Sequence, residues 1–102
     1  MESEQARDFT FEEIDGKIAI KKYDGEASDV AIPDMIDGKP VFSIVGKAFY
    51  GAQLTSVAIP STVEAIGSWA FRKNLFESVT LPASVKTIGL KAFDDHVQVT
   101  RL

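Results

Sequence analysis

Residues Leu54–Phe71 read LTSVAIPSTVEAIGSWAF, and 22 positions further on Phe76–Phe93 read FESVTLPASVKTIGLKAF. The apolar positions coincide: Val57, Ile59, Val63, Ile66, Ala70 and Phe71 in the first become Val79, Leu81, Val85, Ile88, Ala92 and Phe93 in the second. A third copy, Ile32–Phe49 (IPDMIDGKPVFSIVGKAF), carries Val41, Ile44, Ala48 and Phe49 in the same order. A unit this short has no interior of its own. Its apolar face is covered only by the next unit, so the period predicts a solenoid whose core runs along the stacking axis.

Working outward, each unit opens on a short alternating strand closed by a proline: Val30-Ala31-Ile32-Pro33, Val57-Ala58-Ile59-Pro60, Val79-Thr80-Leu81-Pro82. Proline lacks the backbone donor a strand interior needs and so ends it. The first copy precedes the second by 27 residues rather than 22, which places about five extra residues in Asp34–Pro40, with a wider turn at Asp37-Gly38. Each coil then has three sides: the strand, a second extended segment (Val63 with Ile66 in the middle unit), and a tight Ala-Phe turn. Phe49, Phe71 and Phe93 are expected to stack as a ladder. Truncating the central rung, Phe71→Ala, is expected to cost about 3 to 5 kcal/mol.

Phe9–Tyr23 reads as a β-hairpin, since Phe9 and Phe11, then Ile18 and Ile20, alternate with polar residues around Asp15-Gly16, a strong two-residue turn signal. It is expected to cap the amino-terminal end of the core, and its removal to cause aggregation. Residues 1–8 are read as a flexible N-terminus, 24–53, 54–75 and 76–96 as the repeats, and 97–100 as a terminal edge strand, all one domain. The apolar pair Val97 and Val99 implies a closing segment shortened by about four residues.

The string LTSVAIPSTVEAIGSWAF resembles the BspA-type, or Treponema-type, bacterial leucine-rich repeats, usually written LxxVxIPxxVxxIGxxAF. The resemblance covers about Tyr23–Phe93. It implies a right-handed leucine-rich-repeat superhelix, here of about three and a half 22-residue repeats, that acts as a non-enzymatic protein-interaction module related to surface adhesion proteins. The sequence departs from the family pattern where a cysteine often follows the Ala-Phe pair: Ala52, Asn74 and His96 stand there, and Val45 replaces the glycine seen at Gly67 and Gly89.

Composition narrows the function classes. The 102 residues carry a net charge of −4 with no cysteine and one histidine, which leaves thiol chemistry and soft-metal sites without ligands; no cofactor or metal is expected. The acidic balance argues against nucleic acid, although it is uneven: residues 1–37 sum to −7 and residues 38–102 to +3. No apolar run is long enough to cross a bilayer, so membrane insertion is not expected. Without an export signal in the sequence as written a cytoplasmic location is expected, and a surface or secreted one if such a signal precedes it. Glu12 and Glu13 are strand neighbours facing opposite sides, and Asp94, Asp95 and His96 read as a solvated turn rather than a metal site. No nucleophile, phosphate-loop or dinucleotide motif is present, and no catalytic residues are assigned.

Two surfaces remain as candidates. The resemblance implies that outward strand residues line one concave parallel sheet, and strand parity selects Asp29, Ala31, Ser56, Ala58, Ser78 and Thr80 for it; these small residues make either a flat binding surface or side chains that merely suit tight stacking. On another side Trp69 occupies a variable position aligned with Lys47 and Lys91, with Tyr50, Arg72, Lys73 and Leu90 near it by register. An aromatic among cations is the composition of an interface anchor, and equally that of a tryptophan lying over the adjacent coil. The partner expected is another protein. A structural role, with weak self-association through the edge at Val97–Thr100, is the alternative.

Overall fold

The computed structural model describes residues 7–102; residues 1–6, part of the segment expected to be a flexible N-terminus, lie outside the described residues. The described residues form ten strands: β1 (Phe9–Ile14), β2 (Lys17–Tyr23), β3 (Asp29–Ala31), β4 (Met35–Ile36), β5 (Lys39–Ile44), β6 (Ser56–Ala58), β7 (Ala65–Ile66), β8 (Ser78–Leu81), β9 (Thr87–Ile88) and β10 (Gln98–Arg101). One sheet runs β1-β2-β5-β7-β9, with β4 folded back on β5, and two parallel pairs, β3-β6 and β8-β10, form a second side. The molecule measures 38 × 28 × 19 Å.

The coils stack in the register that the period requires. Ile44 aligns with Ile66 and Ile66 with Ile88, and Val30 aligns with Val57. On the third side the turns bond directly to one another: Phe49 N donates to Ala70 O (2.7 Å) and Phe71 N to Ala92 O (2.8 Å). These bonds explain the alanines. Ala48, Ala70 and Ala92 are buried where one backbone lies against the next, and a larger side chain would force the turns apart. Glycine is required nearby for the same reason. A Cβ on Gly67 would lie 2.4 Å from Gly46 N, and one on Gly89 2.3 Å from Ser68 N. Val45 escapes the constraint because the strand beneath it is β2 of the hairpin, which has no such turn; Val45 N donates to Ile20 O.

The hairpin turns at Asp15-Gly16, both with positive φ (51° and 79°), the geometry of a primed two-residue turn. β2 then pairs in parallel with β5, so the cap enters the sheet as an additional strand rather than as a lid. It also supplies a rung. The Tyr23 ring stacks on Phe49 at 5.4 Å, Phe49 on Phe71 at 4.9 Å and Phe71 on Phe93 at 5.4 Å, so the ladder has four members. Tyr23 N donates to Ala48 O as the phenylalanines do to their alanines, and the Tyr23 hydroxyl donates to Ala27 O at 2.8 Å. Burial, and after it the charge of Asp8, pushes the Tyr23 phenol above its ordinary pKa.

The insertion at Asp34–Pro40 is a small hairpin of its own, β4 on β5, turning at Asp37-Gly38 with φ of 54° and 76°. Two expectations need correction. In the closing segment Val99 aligns with Val79 and Arg101 with Leu81, a spacing of 20, so the last coil is two residues shorter than the period rather than four, and the edge strand is Gln98–Arg101. The closing segment turns at Asp94, whose carbonyl accepts from Val97 N at 3.0 Å, before β10 pairs with β8. The outward face is also not one sheet: β6 and β8 run side by side without pairing, leaving an open slot of about 480 Å³ between Ser56, Ala58, Ser78 and Thr80.

Candidate functional site

The turn after each second strand places a non-glycine residue in left-handed backbone, at Lys47 (φ 63°), Trp69 (65°) and Lys91 (53°). Lys47 N donates to Ser68 O and Trp69 N to Leu90 O, so the three stand in a column along the stack. A bulky aromatic is an unusual occupant of that backbone region. The column shows what the fold demands there, which is any residue able to keep φ positive; lysine serves twice and tryptophan once.

Around Trp69 the groups lie close together. Its ring is 6.0 Å from that of Tyr50; the Arg72 guanidinium sits 5.5 Å from the Trp69 centroid and Lys91 Nζ 5.9 Å, while Lys47 Nζ is 6.0 Å from the Tyr50 ring. Trp69 is partly exposed, Tyr50 is 40% exposed and Leu90 72%. The structure therefore brings Trp69, Tyr50, Arg72 and the Leu90 carbonyl into one neighbourhood, with Lys73 exposed next to Arg72 in the chain.

Arg72 does more than border the aromatic. Its Nε lies 3.5 Å from Asp94 Oδ1, one terminal nitrogen lies 3.6 Å from Asp95 Oδ1, and the same nitrogen donates to Phe93 O at 3.2 Å. Asp94 is not a solvated turn residue. Its carboxylate accepts from Lys73 N (3.0 Å) and Asn74 N (3.2 Å), clamping the third coil onto the second. The charge of Arg72 is thus committed within the protein, whereas Lys47, Lys73 and Lys91 have no carboxylate partner among the described residues.

Asn74, three residues after Phe71, is 6% exposed and inserts into the stack. Its Nδ2 donates to Phe49 O (2.9 Å) and Phe71 O (2.8 Å), and its Oδ1 accepts from Leu54 N (3.0 Å). One amide spans two coils and closes backbone groups that the turn leaves open. The sequence marks the position, but Ala52 and His96 in the other copies hide its importance.

The second candidate surface is assembled as strand parity requires. Asp29, Ala31, Ser56, Ala58, Ser78 and Thr80 are all exposed. Ser56 Oγ donates to Asp29 Oδ1, which ties up the two most polar of them. Among the described residues no three of His, Asp or Glu converge as metal ligands, and no helix is long and apolar enough to cross a membrane.

Short coils joined through an aromatic ladder, with alternating inward strand residues and Ala-Phe turns, define a leucine-rich-repeat solenoid. The BspA type leucine rich repeat region matches residues 28–102 in six copies, and the chain belongs to that family. No curated protein matches significantly in sequence. Two solved structures are similar in fold. A leucine rich repeat protein of T. pallidum superposes with a TM-score of 0.66 at 21% identity, covering 99% of this chain and 64% of that one. A leucine-rich repeat protein from Bacteroides capillosus gives a TM-score of 0.66 at 23% identity, covering 93% of this chain and 94% of that one. This chain therefore spans less than two thirds of the T. pallidum protein.

Proposed function

We propose that this chain is a non-enzymatic interaction module that binds a protein partner through the patch centred on Trp69. The observation that supports the reading is the Lys47, Trp69, Lys91 column. Two lysines satisfy the same strained backbone in the neighbouring coils, so the fold does not ask for tryptophan, yet it is partly exposed beside Tyr50 and Leu90. Aromatic anchors with cations are the residues that carry interface energy, and a rigid stack binds without first ordering its own backbone. The small residues of the strand face supply no comparable anchor.

The test is an unbiased peptide-display selection on the wild-type chain, followed by affinity measurement on Trp69→Asn. Asparagine accepts positive φ, so the variant keeps the turn while removing the ring. Selected peptides that lose at least about tenfold in affinity support the patch. Peptides that bind both chains equally, or a selection that yields none, would refute it.

A second reading, self-association, draws on β10, which among the described residues pairs with β8 alone, and on Val99 and Leu102, which are 41% and 77% exposed. Light scattering tests it directly: a dimer dispersed by Val99→Lys supports it, and a monomer at high concentration refutes it.

A further inference from the structure

We infer that the partner of the Trp69 patch is an acidic, proline-containing segment in extended left-handed (polyproline II) form, with carboxylates three residues apart. The inference rests on the patch reading above and adds the chemistry of what binds.

The first observation is charge. The chain as a whole carries −4, but the patch residues Lys47, Arg72, Lys73 and Lys91 against Asp94 and Asp95 sum to +2. Arg72 is turned inward by the two aspartates, at 3.5 and 3.6 Å, so it fixes the tryptophan ring without offering its charge. The three lysines have no such partner among the described residues. A cationic island on an anionic protein attracts an acidic ligand only where the lysines stand, which confers position as well as attraction.

The second observation is spacing. Lys47 and Lys91 are two coils apart, and adjacent coils are separated by one strand spacing, so the two lysine backbones lie about 10 Å apart along the stack. The phenylalanine rungs, at 4.9 and 5.4 Å, repeat the same step. A polyproline II segment returns to the same face every third residue and rises about 3.1 Å per residue, so side chains at i and i+3 are about 9.3 Å apart on one side. Residues spaced by two or four in a β-strand share a face at about 7 or 13 Å, further from the lysine backbone spacing. With one carboxylate at each lysine, the residues between them pass the partly exposed Tyr50 and Trp69 rings, which are 6.0 Å apart and tilted at 41° and against which Lys47 and Lys91 Nζ lie at 6.0 and 5.9 Å, so that proline rings meet aromatic surface and the carboxylates meet the cations beside it. Such a segment is already extended when free and loses little conformational freedom on binding.

Trp69 is the sole tryptophan, so its emission reports on this patch alone. The experiment titrates the chain with a (Glu-Pro-Pro)n peptide and with Gln-Pro-Pro and Lys-Pro-Pro peptides of equal length. Tryptophan emission and anisotropy of labelled peptide are read in parallel, with a heparin fragment as a non-peptide polyanion. The expected result is a shifted emission with the glutamate peptide only. Its affinity should fall at least about tenfold in the Lys47→Gln, Lys91→Gln double variant, and similarly when salt is raised from about 50 to about 500 mM. A permuted peptide of equal composition with its glutamates adjacent should bind several-fold less well. Equal binding of the three charge types, equal binding of the permuted peptide, silence of the glutamate peptide to about 1 mM, or binding of heparin without the peptide would each overturn the assignment. If the glutamate peptide fails while peptides from the unbiased selection still depend on Trp69, the acidic assignment falls and the patch stands. If those peptides ignore Trp69→Asn, both fall.

Discussion

Replacing Asn74 with alanine should be among the most damaging changes available to this protein, although it removes only one small polar side chain. Leu54 N–H has the Asn74 carbonyl as its partner, and Phe71 C=O is bonded by the Asn74 amide, both inside the stack. Phe49 C=O keeps a second donor, Ala52 N–H at 3.3 Å, so two backbone groups rather than three are orphaned. At about 1 to 3 kcal/mol for each buried unsatisfied group, the loss is about 3 kcal/mol. For a domain of this size that lowers the melting temperature by roughly 12 to 24 °C. Urea titration with the slope held common to both chains measures it. Asn74→Asp separates the hydrogen bonds from the volume: it keeps the acceptor for Leu54 but sets a carboxylate against two carbonyls. That environment raises its folded-state pKa, so the variant should be poor at neutral pH and recover partly once pH falls through the carboxylate range. A cost below about 1 kcal/mol for alanine, together with an aspartate variant that shows no such pH dependence, would refute the role assigned to this side chain.

Other consequences can be read from the packing. Gly67→Ala, whose new Cβ meets the backbone of the preceding coil, should destabilise by about 3 kcal/mol, whereas Val45→Ala at the same repeat position one coil earlier should cost far less; chemical denaturation of the pair checks this. The raised Tyr23 phenol contributes stability that is present below the unfolded phenol pKa, about 10, and is lost as pH rises through its folded value. Wild type should therefore weaken at strongly alkaline pH more steeply than Tyr23→Phe in parallel thermal melts.

How much of this was legible beforehand depends on whether a feature repeats. The inward valines and isoleucines, the Ala-Phe turns and the phenylalanine ladder recur at a fixed interval, and periodicity alone identifies them. Tyr23 lies 26 residues before Phe49, outside the period, so its place as a fourth rung emerges only once β2 is seen to enter the sheet. Asn74 was hidden for the opposite reason, being one polar residue at a position where the other copies carry Ala52 and His96. The clamp of Asp94 on Lys73 N and Asn74 N joins stacked coils through one side chain that no spacing announces, and the two-residue shortening of the last coil emerges only from the pairing of β10 with β8. In the candidate site, Trp69 could be recognised as the member of its column that departs from lysine. The capture of Arg72 by aspartates 22 and 23 residues ahead could not, because that contact exists only between stacked coils. The slot between β6 and β8 likewise reflects coil geometry rather than any residue type.

Most side chains described above join coil to coil, and the Trp69 patch is the proposed partner site. Trp69→Asn tests that assignment most directly, with a thermal melt and a peptide affinity measured on one preparation. A melting temperature within about 8 °C of wild type, corresponding to less than about 1 kcal/mol, together with at least about tenfold weaker binding, is the expected pair of results. A chain that unfolds on losing this ring, or one that stays folded and binds unchanged, would contradict it.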